Sequence, residues 1–152
     1  MGLADLKADP NVFGGVDLLT LSACNTAIDV KTGTGREVEG FGALAQRLGA
    51  RSVLASLWPV ADASTPTLMR EFYRLRRATP KLGKAAGLRQ AQLELLRGKV
   101  VASTPPSKAN RANRAKVAGA ANTDLPLFTA DPKAPYAHPF YWAPFVLIGN
   151  PQ

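Results

Sequence analysis

Apolar residues follow one another along this chain in two patterns, which predict strands and helices in turn. Residues 17–23 form a continuous apolar run of the kind that buried parallel strands use, and residues 51–57 are predicted to form a second strand. Between them, apolar residues recur at helical spacing up to Gly49, which is a suitable C-terminal cap. These positions are Val38, Phe41, Leu44, Ala45 and Leu48. A strand, a helix and a strand in this order form a right-handed unit with two parallel strands.

Two more helices and a third strand are predicted further along. Ser64 or Thr65 is expected to cap a helix that has Pro66 in its first turn. Its expected core face is Leu68, Met69, Phe72 and Leu75. A helix over about 82–97 follows, and its expected inward residues are Ala85, Leu88, Leu95 and Leu96. The last strand is expected over 142–148.

Composition is that of one globular domain with an insertion. The 152 residues are 46% hydrophobic and 20% charged, which is typical of a folded chain with one core. From about 98 to 137 the composition changes to Ala, Pro, Asn, Lys and Thr, so this stretch is interpreted as an insertion. Three strands make a thin sheet, and no room for another strand–helix unit precedes the first strand. The domain is therefore expected to be truncated at its N-terminal side.

Positive charge is concentrated in one part of the chain. The formal net charge is +8, and between Arg70 and Lys116 thirteen Lys/Arg residues face only two glutamates. Such a region could attract nucleic acid or an acidic partner, or simply be a solvated helix face followed by a basic loop. No nucleic-acid-binding motif accompanies the charge, so a nucleic-acid partner is not expected.

Cys24 is the only cysteine and follows the first predicted strand. A single cysteine excludes an internal disulfide, which indicates a reducing, cytoplasmic setting, and leaves too few ligands for zinc. No metal and no other cofactor are expected. No apolar run approaches the roughly 20 residues that cross a bilayer, and no signal peptide is visible, so no membrane association is expected.

A thiol at the carboxyl end of a strand lies where open α/β sheets bind their ligands. A nucleophilic thiol also needs a base, and the only histidine, His138, is far downstream. Without such help a thiol has a pKa near 8.5, so only about 3% is thiolate at pH 7. Taken by itself, Cys24 fits a buried structural cysteine as well as a nucleophile.

Four ordered stretches together resemble the CHAT domain, a caspase-like peptidase domain often attached to tetratricopeptide repeats. They are Leu19–Ala27, Glu39–Phe41, Gly49–Asp62 and His138–Gly149. The resemblance runs from about residue 16 to 149 and is interrupted only by the insertion. It implies that residues 1–152 are a partial CHAT domain.

The resemblance implies a cysteine endopeptidase with a three-layer α/β/α sandwich and a mostly parallel sheet, truncated at its N-terminal side. Cys24 matches the family nucleophile, and a protein or peptide would be the substrate. The catalytic histidine of this group lies on an earlier strand end, and no histidine precedes Cys24 here. It would have to come from an upstream or partner segment, which could also carry tetratricopeptide repeats. His138, among Pro139, Phe140 and Tyr141, is expected to be structural.

Four further residues are candidates for substrate binding. Ser22 is on the same strand face as Cys24, because side chains alternate, and the resemblance to caspases suggests that it lines the specificity pocket. Ser56 and Trp58 end the neighbouring strand on the same rim, where Trp58 is either a pocket wall or core. Asp62 is a possible pocket carboxylate or a contributor to the next helix start.

Two other interpretations stay open. The chain could be a catalytically inactive interaction module that uses an exposed sheet edge and its basic surface. It could also be a gene remnant whose product is marginally folded. Peptidase activity that depends on Cys24 would distinguish a peptidase from the interaction module. A cooperative thermal transition would argue against a marginally folded gene remnant.

Overall fold

The computed structural model describes residues 10–21, 36–58, 60, 63–100 and 131–152. These residues fall into two compact units, one made of 1–59 and 145–152 and the other of 60–144. The first unit holds β1 (Leu19–Leu21), α1 (Arg36–Arg47), β2 (Ser52–Ser56) and β3 (Phe145–Gly149). The second holds α2 (Ser64–Ala78), α3 (Lys84–Leu96) and a 3-10 helix (Pro139–Tyr141).

The three strands of the first unit form one mixed sheet in the order β1-β2-β3. β1 and β2 are parallel, with Leu19 opposite Val53 and Leu21 opposite Ala55, which confirms the predicted strand–helix–strand unit. β3 runs antiparallel to β2, with Ser56 opposite Phe145. The α/β class is thereby confirmed. The last strand begins at Phe145 rather than at Trp142, because 139–141 form the 3-10 helix and 142–144 a turn.

Small side chains let α1 approach the sheet closely. Ala45 on α1 and Val53 on β2 are both fully buried in the core of this unit. At Gly42 an added Cβ would lie 2.6 Å from the Ile148 side chain of β3, so this glycine permits the contact. The remaining members of the core are Ala50 and Ala55, with Phe13, Leu19, Leu21, Phe41 and Ile148 packed against them.

Gly49 ends α1 in the way that the sequence predicts. Its φ of 104° is one that side chains rarely adopt. The Gly49 N–H donates to the Gln46 carbonyl at 3.0 Å, and the Ala50 N–H donates to the Ala45 carbonyl at 3.0 Å. These two bonds are the Schellman motif, which satisfies carbonyls that the helix end leaves without a partner. The chain then enters β2 directly.

In the second unit, α2 and α3 pack together through apolar faces. Leu68 and Phe72 of α2 are completely buried, as are Ala91 and Leu95 of α3. Gly87 faces α2, and its added Cβ would lie 3.4 Å from the Phe72 ring, so the glycine allows close helix packing. The apolar periodicity therefore identified both helices.

Several details of these helices differ from the sequence prediction. The N-cap of α2 is Ala63, and neither Ser64 nor Thr65 caps the helix. The Thr65 hydroxyl instead donates to the Val60 carbonyl at 2.8 Å. On α3, Ala85 and Leu96 are exposed rather than inward, because the buried stripe follows Leu88, Ala91 and Leu95. Met69 and Leu75 of α2 are half-buried.

A second Schellman motif ends α3 at its C-terminus. The Gly98 N–H donates to the Leu95 carbonyl at 3.1 Å and the Lys99 N–H donates to the Glu94 carbonyl at 2.9 Å. Beyond it, most of the predicted insertion lies outside the described residues. Its final part, Asp131–Ala137, forms turns, and the adjoining Tyr136 and Tyr141 rings pack edge to face at 5.1 Å. Among the described residues, no helix is long and apolar enough to span a membrane.

One ion pair makes the stability of this unit depend on pH. Arg74 donates to the buried carboxylate of Glu71 through Nε at 2.8 Å and through Nη2. The hydrogen bonds from Arg74 hold the pKa of Glu71 below its ordinary value of 4.5, although burial raises that pKa. The ionised carboxylate therefore stabilises the fold above the ordinary pKa, and this contribution is lost as pH falls through the lowered pKa.

We expect Glu71→Gln to reduce the free energy of unfolding by about 1 kcal/mol at neutral pH, because it removes a charge-assisted pair at a partly exposed site. The deficit should narrow in acid, where the parent carboxyl is itself protonated. Urea titrations of the parent and the variant at neutral and at acidic pH measure this difference in the free energy of unfolding. Arg77 is an exposed arginine on the same helix, so Arg77→Gln is the control. It should change the free energy of unfolding little at either pH. A deficit for Glu71→Gln that is equal at both pH values would contradict the assignment.

Candidate active site at the strand ends of the first unit

The predicted site residues follow the parallel strands β1 and β2 in the sequence. The last described pair is Leu21 opposite Ala55, and Ser56 follows Ala55 as the final residue of β2. Since both strands run in the same direction, their carboxyl ends meet at one edge. Residues that directly follow Leu21 and Ser56 in sequence are therefore the ones to consider for chemistry.

Ser56 is buried and takes part in the turn that leaves β2. Its side chain hydroxyl donates to the Trp58 carbonyl at 2.6 Å, and the residue is 5% exposed. The donor of this hydroxyl is used inside the turn, while its oxygen keeps acceptor capacity. Ser56 thus fixes the backbone path from the strand to Trp58, and its expected role in substrate binding stays a prediction.

Trp58 is half-buried, and the preceding Leu57 is 38% exposed. Partial exposure of a large ring at a strand end is compatible with both interpretations of Trp58. The ring could be the wall of a pocket or the edge of the core. The turn held by Ser56 restrains the backbone of Trp58, which is what a pocket wall requires.

The other three predicted site residues lie outside the described part of the chain. They are the nucleophile candidate Cys24 and the substrate-binding candidates Ser22 and Asp62. Of the five, the structure therefore relates only Ser56 and Trp58 to each other. The roles expected for the remaining residues rest on their sequence positions relative to β1 and β2.

His138 has a structural contact in the second unit. Its Nδ1 accepts a hydrogen bond from the Phe140 N–H at 3.1 Å and so caps the 3-10 helix that starts at Pro139. A nitrogen that accepts is unprotonated, so the neutral ring carries its proton on Nε2. This contact is the one expected of a structural histidine at a helix start.

Within 10–21, 36–58, 60, 63–100 and 131–152, no group of three or more His, Cys, Asp or Glu side chains is arranged to hold a metal ion.

The buried hydroxyl of Ser52 has a structural contact. It donates to the Asp17 carbonyl at 2.6 Å and so connects the segment before β1 to β2.

Comparison with protein families identifies the class of domain. The family model of the CHAT domain matches residues 3–150, which is essentially the whole chain. The chain therefore belongs to the CHAT domain family, as its four motif segments predict. Comparisons with curated proteins and with solved structures give no match.

One feature of the surface is absent from the sequence prediction. The sequence shows an excess of basic residues, but the prediction did not include that Arg70, Arg74 and Arg77 recur at spacings that bring them to one side of a helix. Their exposure in the structure makes this side a distinct charged surface. Helical periodicity applied to the charged residues, as it was to the apolar ones, would have found it.

Proposed function

We propose that this chain is the part of a caspase-like cysteine endopeptidase that carries the nucleophile, Cys24. The observation that carries the proposal is membership of the CHAT domain family over residues 3–150, together with the parallel pairing of β2 with β1, the strand that precedes Cys24 in sequence. Caspase-like peptidases hold their cysteine after a strand of a parallel sheet, and Cys24 follows β1 by three residues.

In the proposed reaction, the Cys24 thiolate attacks the carbonyl carbon of a peptide bond. The C–N bond breaks, the leaving amine takes a proton from the general acid, and an acyl-enzyme thioester remains. Water then gives a proton to the same group, now acting as a base, and attacks the thioester carbonyl. The C–S bond breaks, and the carboxylic acid product and the Cys24 thiolate are released. Backbone N–H groups near the strand end would stabilise the oxyanion. A reducing compartment such as the cytoplasm would keep the thiol available.

The histidine that serves as base is proposed to come from a segment outside residues 1–152. Sheet order supports this, because β1 has β2 on one side and no described strand on the other. A parallel strand added at that side would bring its own carboxyl end to the edge where β1 and β2 end. A histidine at the end of such a strand would approach the residues that follow β1.

A second candidate is an interaction module without catalysis. It is favoured by the position of β1 at the end of the described sheet, because an end strand is where a strand of a partner can be added. In that case the thiol has no chemical role, and binding is independent of Cys24.

Extension of the chain distinguishes these candidates. The in-frame coding sequence before Met1 is determined, and the longer product is compared with the 152-residue chain for hydrolysis of a fluorogenic peptide library. We expect the longer product to cleave peptides and the shorter chain to be nearly inactive. Replacement of the added histidine by alanine, as the matched control, should remove the gain. An upstream sequence without a histidine-bearing strand, or a folded longer product without hydrolysis, would favour the interaction module.

A further inference from the structure

The outer side of α2 carries an unusual concentration of exposed arginine. Arg70, Arg74 and Arg77 are all exposed, and Tyr73, which lies between them, is 46% exposed. Their spacing of three, four and seven residues brings the four side chains to one side of the helix. We call these four residues the arginine face. The opposite side of α2 is the buried one that packs on α3.

Acidic side chains offset the charge of this face only at Arg74, where Glu71 and, to a smaller extent, Glu94 of α3 favour the charged guanidinium. Glu71 is the only acidic residue of α2, it is buried, and it pairs with Arg74. Arg70 and Arg77 make no ion pair within the described part of the chain. Like charges three or four residues apart destabilise an isolated helix by about 0.2–0.5 kcal/mol per pair. The face therefore opposes helix stability slightly, and a negatively charged partner would reverse that effect.

Arg74 is already held in one orientation before any partner arrives. Glu71 accepts from its Nε at 2.8 Å and from its Nη2, and the side chain is still 58% exposed. A guanidinium has five N–H donors, so about three remain available. Restraint of the free side chain lowers the entropy cost of binding, and a planar fork matches a carboxylate in two hydrogen bonds.

We propose that the arginine face docks an acidic segment of another protein. Arginine and tyrosine are the residues that contribute most at protein–protein interfaces, and here they form one compact group. The face extends about 10 Å along the helix, from Arg70 to Arg77. That length fits a row of carboxylates on one helix or strand. It is short for nucleic acid, where a binding surface commonly neutralises roughly 6–10 phosphates.

This inference goes beyond the proposed peptidase activity and does not depend on it. Docking needs only the second unit's helix surface, so it is expected in the 152-residue chain and in a Cys24→Ala variant alike. Failure of docking would leave the catalytic proposal untouched, and failure of catalysis would leave docking untouched.

Fluorescence anisotropy with defined probes tests the proposal. The first probe is a labelled alanine-based peptide of about 15 residues, long enough to be partly helical, with glutamates at every third or fourth position. The second is a single-stranded oligothymidine of similar charge. Both are titrated with the chain at about 50 mM and about 200 mM salt, since screening distinguishes charge-driven binding.

We expect the acidic peptide to bind more tightly than the oligonucleotide. The double substitution Arg70→Glu and Arg77→Glu should weaken peptide binding at least about tenfold, and Tyr73→Ala several-fold. Arg89→Glu is the matched control, because Arg89 is an exposed arginine on α3, and it should stay within about twofold. If the reversed pair impairs folding in a thermal melt, Arg70→Gln and Arg77→Gln together provide the same test.

Three results would overturn the proposal. The first is no measurable binding of the peptide by the folded parent at the lower salt concentration. The second is an equal loss for Arg89→Glu, which would mean attraction by overall charge alone. The third is tighter binding of the oligonucleotide, which would make this a nucleic-acid surface.

Discussion

Replacement of Cys24 by alanine is expected to abolish peptide hydrolysis by a chain that includes the histidine-bearing segment. Loss of a nucleophile in a covalent mechanism typically lowers kcat by three orders of magnitude or more, since the acyl-enzyme can no longer form. The measurement is kcat/KM on the best fluorogenic peptide of the library. Cys24→Ser should be almost as inactive, because a serine hydroxyl is far less readily ionised than a thiol.

Ser22→Ala is the matched control for that loss. Ser22 precedes Cys24 by two residues and is predicted to bind substrate, so its replacement should raise KM or change side-chain preference while hydrolysis persists. Unchanged thermal unfolding in all three variants would exclude loss of fold as the cause. Residual hydrolysis near the parent level in Cys24→Ala would remove Cys24 from the mechanism and with it the peptidase proposal.

The second large effect is expected from Phe72→Ala, which should lower the free energy of unfolding by about 3–5 kcal/mol. The Phe72 ring is completely buried, contacts the Tyr73 ring edge to face at 5.0 Å, and has the Arg76 guanidinium 5.8 Å from its centre. On the α3 side it lies against Gly87, whose lack of a side chain leaves nothing to fill the cavity. Equilibrium unfolding in urea measures the change. Because a whole domain is commonly stable by only about 5–15 kcal/mol, this substitution threatens folding at 37 °C.

Tyr73→Ala is the internal control for Phe72, because the two aromatic residues are adjacent and differ in burial. Tyr73 is 46% exposed, so its replacement should cost about 1 kcal/mol or less. Phe72→Leu should fall between the two, since it keeps most of the apolar volume. Equal losses for Phe72→Ala and Tyr73→Ala would contradict the packing between α2 and α3.

The apolar pattern was sufficient to predict every α-helix and strand that the structure describes, because burial of one face imposes the same spacing on the sequence. The 3-10 helix over Pro139–Tyr141 was not predicted. The sequence also predicted Gly49 as the end of α1, since few residues other than glycine adopt its backbone angle. The start of α2 was predicted wrongly. Ser64 and Thr65 have side chains that suit an N-cap, yet the helix begins after Ala63 and the Thr65 hydroxyl is bonded to Val60.

The inward face of α3 was also predicted only in part. Ala85 and Leu96 are exposed although both are apolar, because helical phase is set by the contact with α2, and that contact uses Leu88, Ala91 and Leu95. A glycine inside a helix weakens it through its conformational freedom, and Gly87 lies within α3. In the structure it is buried against Phe72, where a side chain would hold the helices apart. A sequence pattern shows which residues are apolar but not which neighbour each one meets.

For this protein, the sequence by itself determined the α/β class, the parallel β1–β2 pair and membership of the CHAT domain family, because these depend on periodicity and on ordered motifs. It also predicted roles for Cys24, Ser22 and Asp62, and these predictions still rest on sequence position and on the resemblance to the family. Only the tertiary structure decided that Ser56 holds the turn at Trp58, that His138 caps a helix, and that three arginines share an exposed face. The two hydrogen bonds join residues only two apart and depend on local backbone angles, whereas the exposure of the arginines depends on which side of α2 packs on α3. Neither the backbone angles nor the packed side can be derived from an apolar pattern.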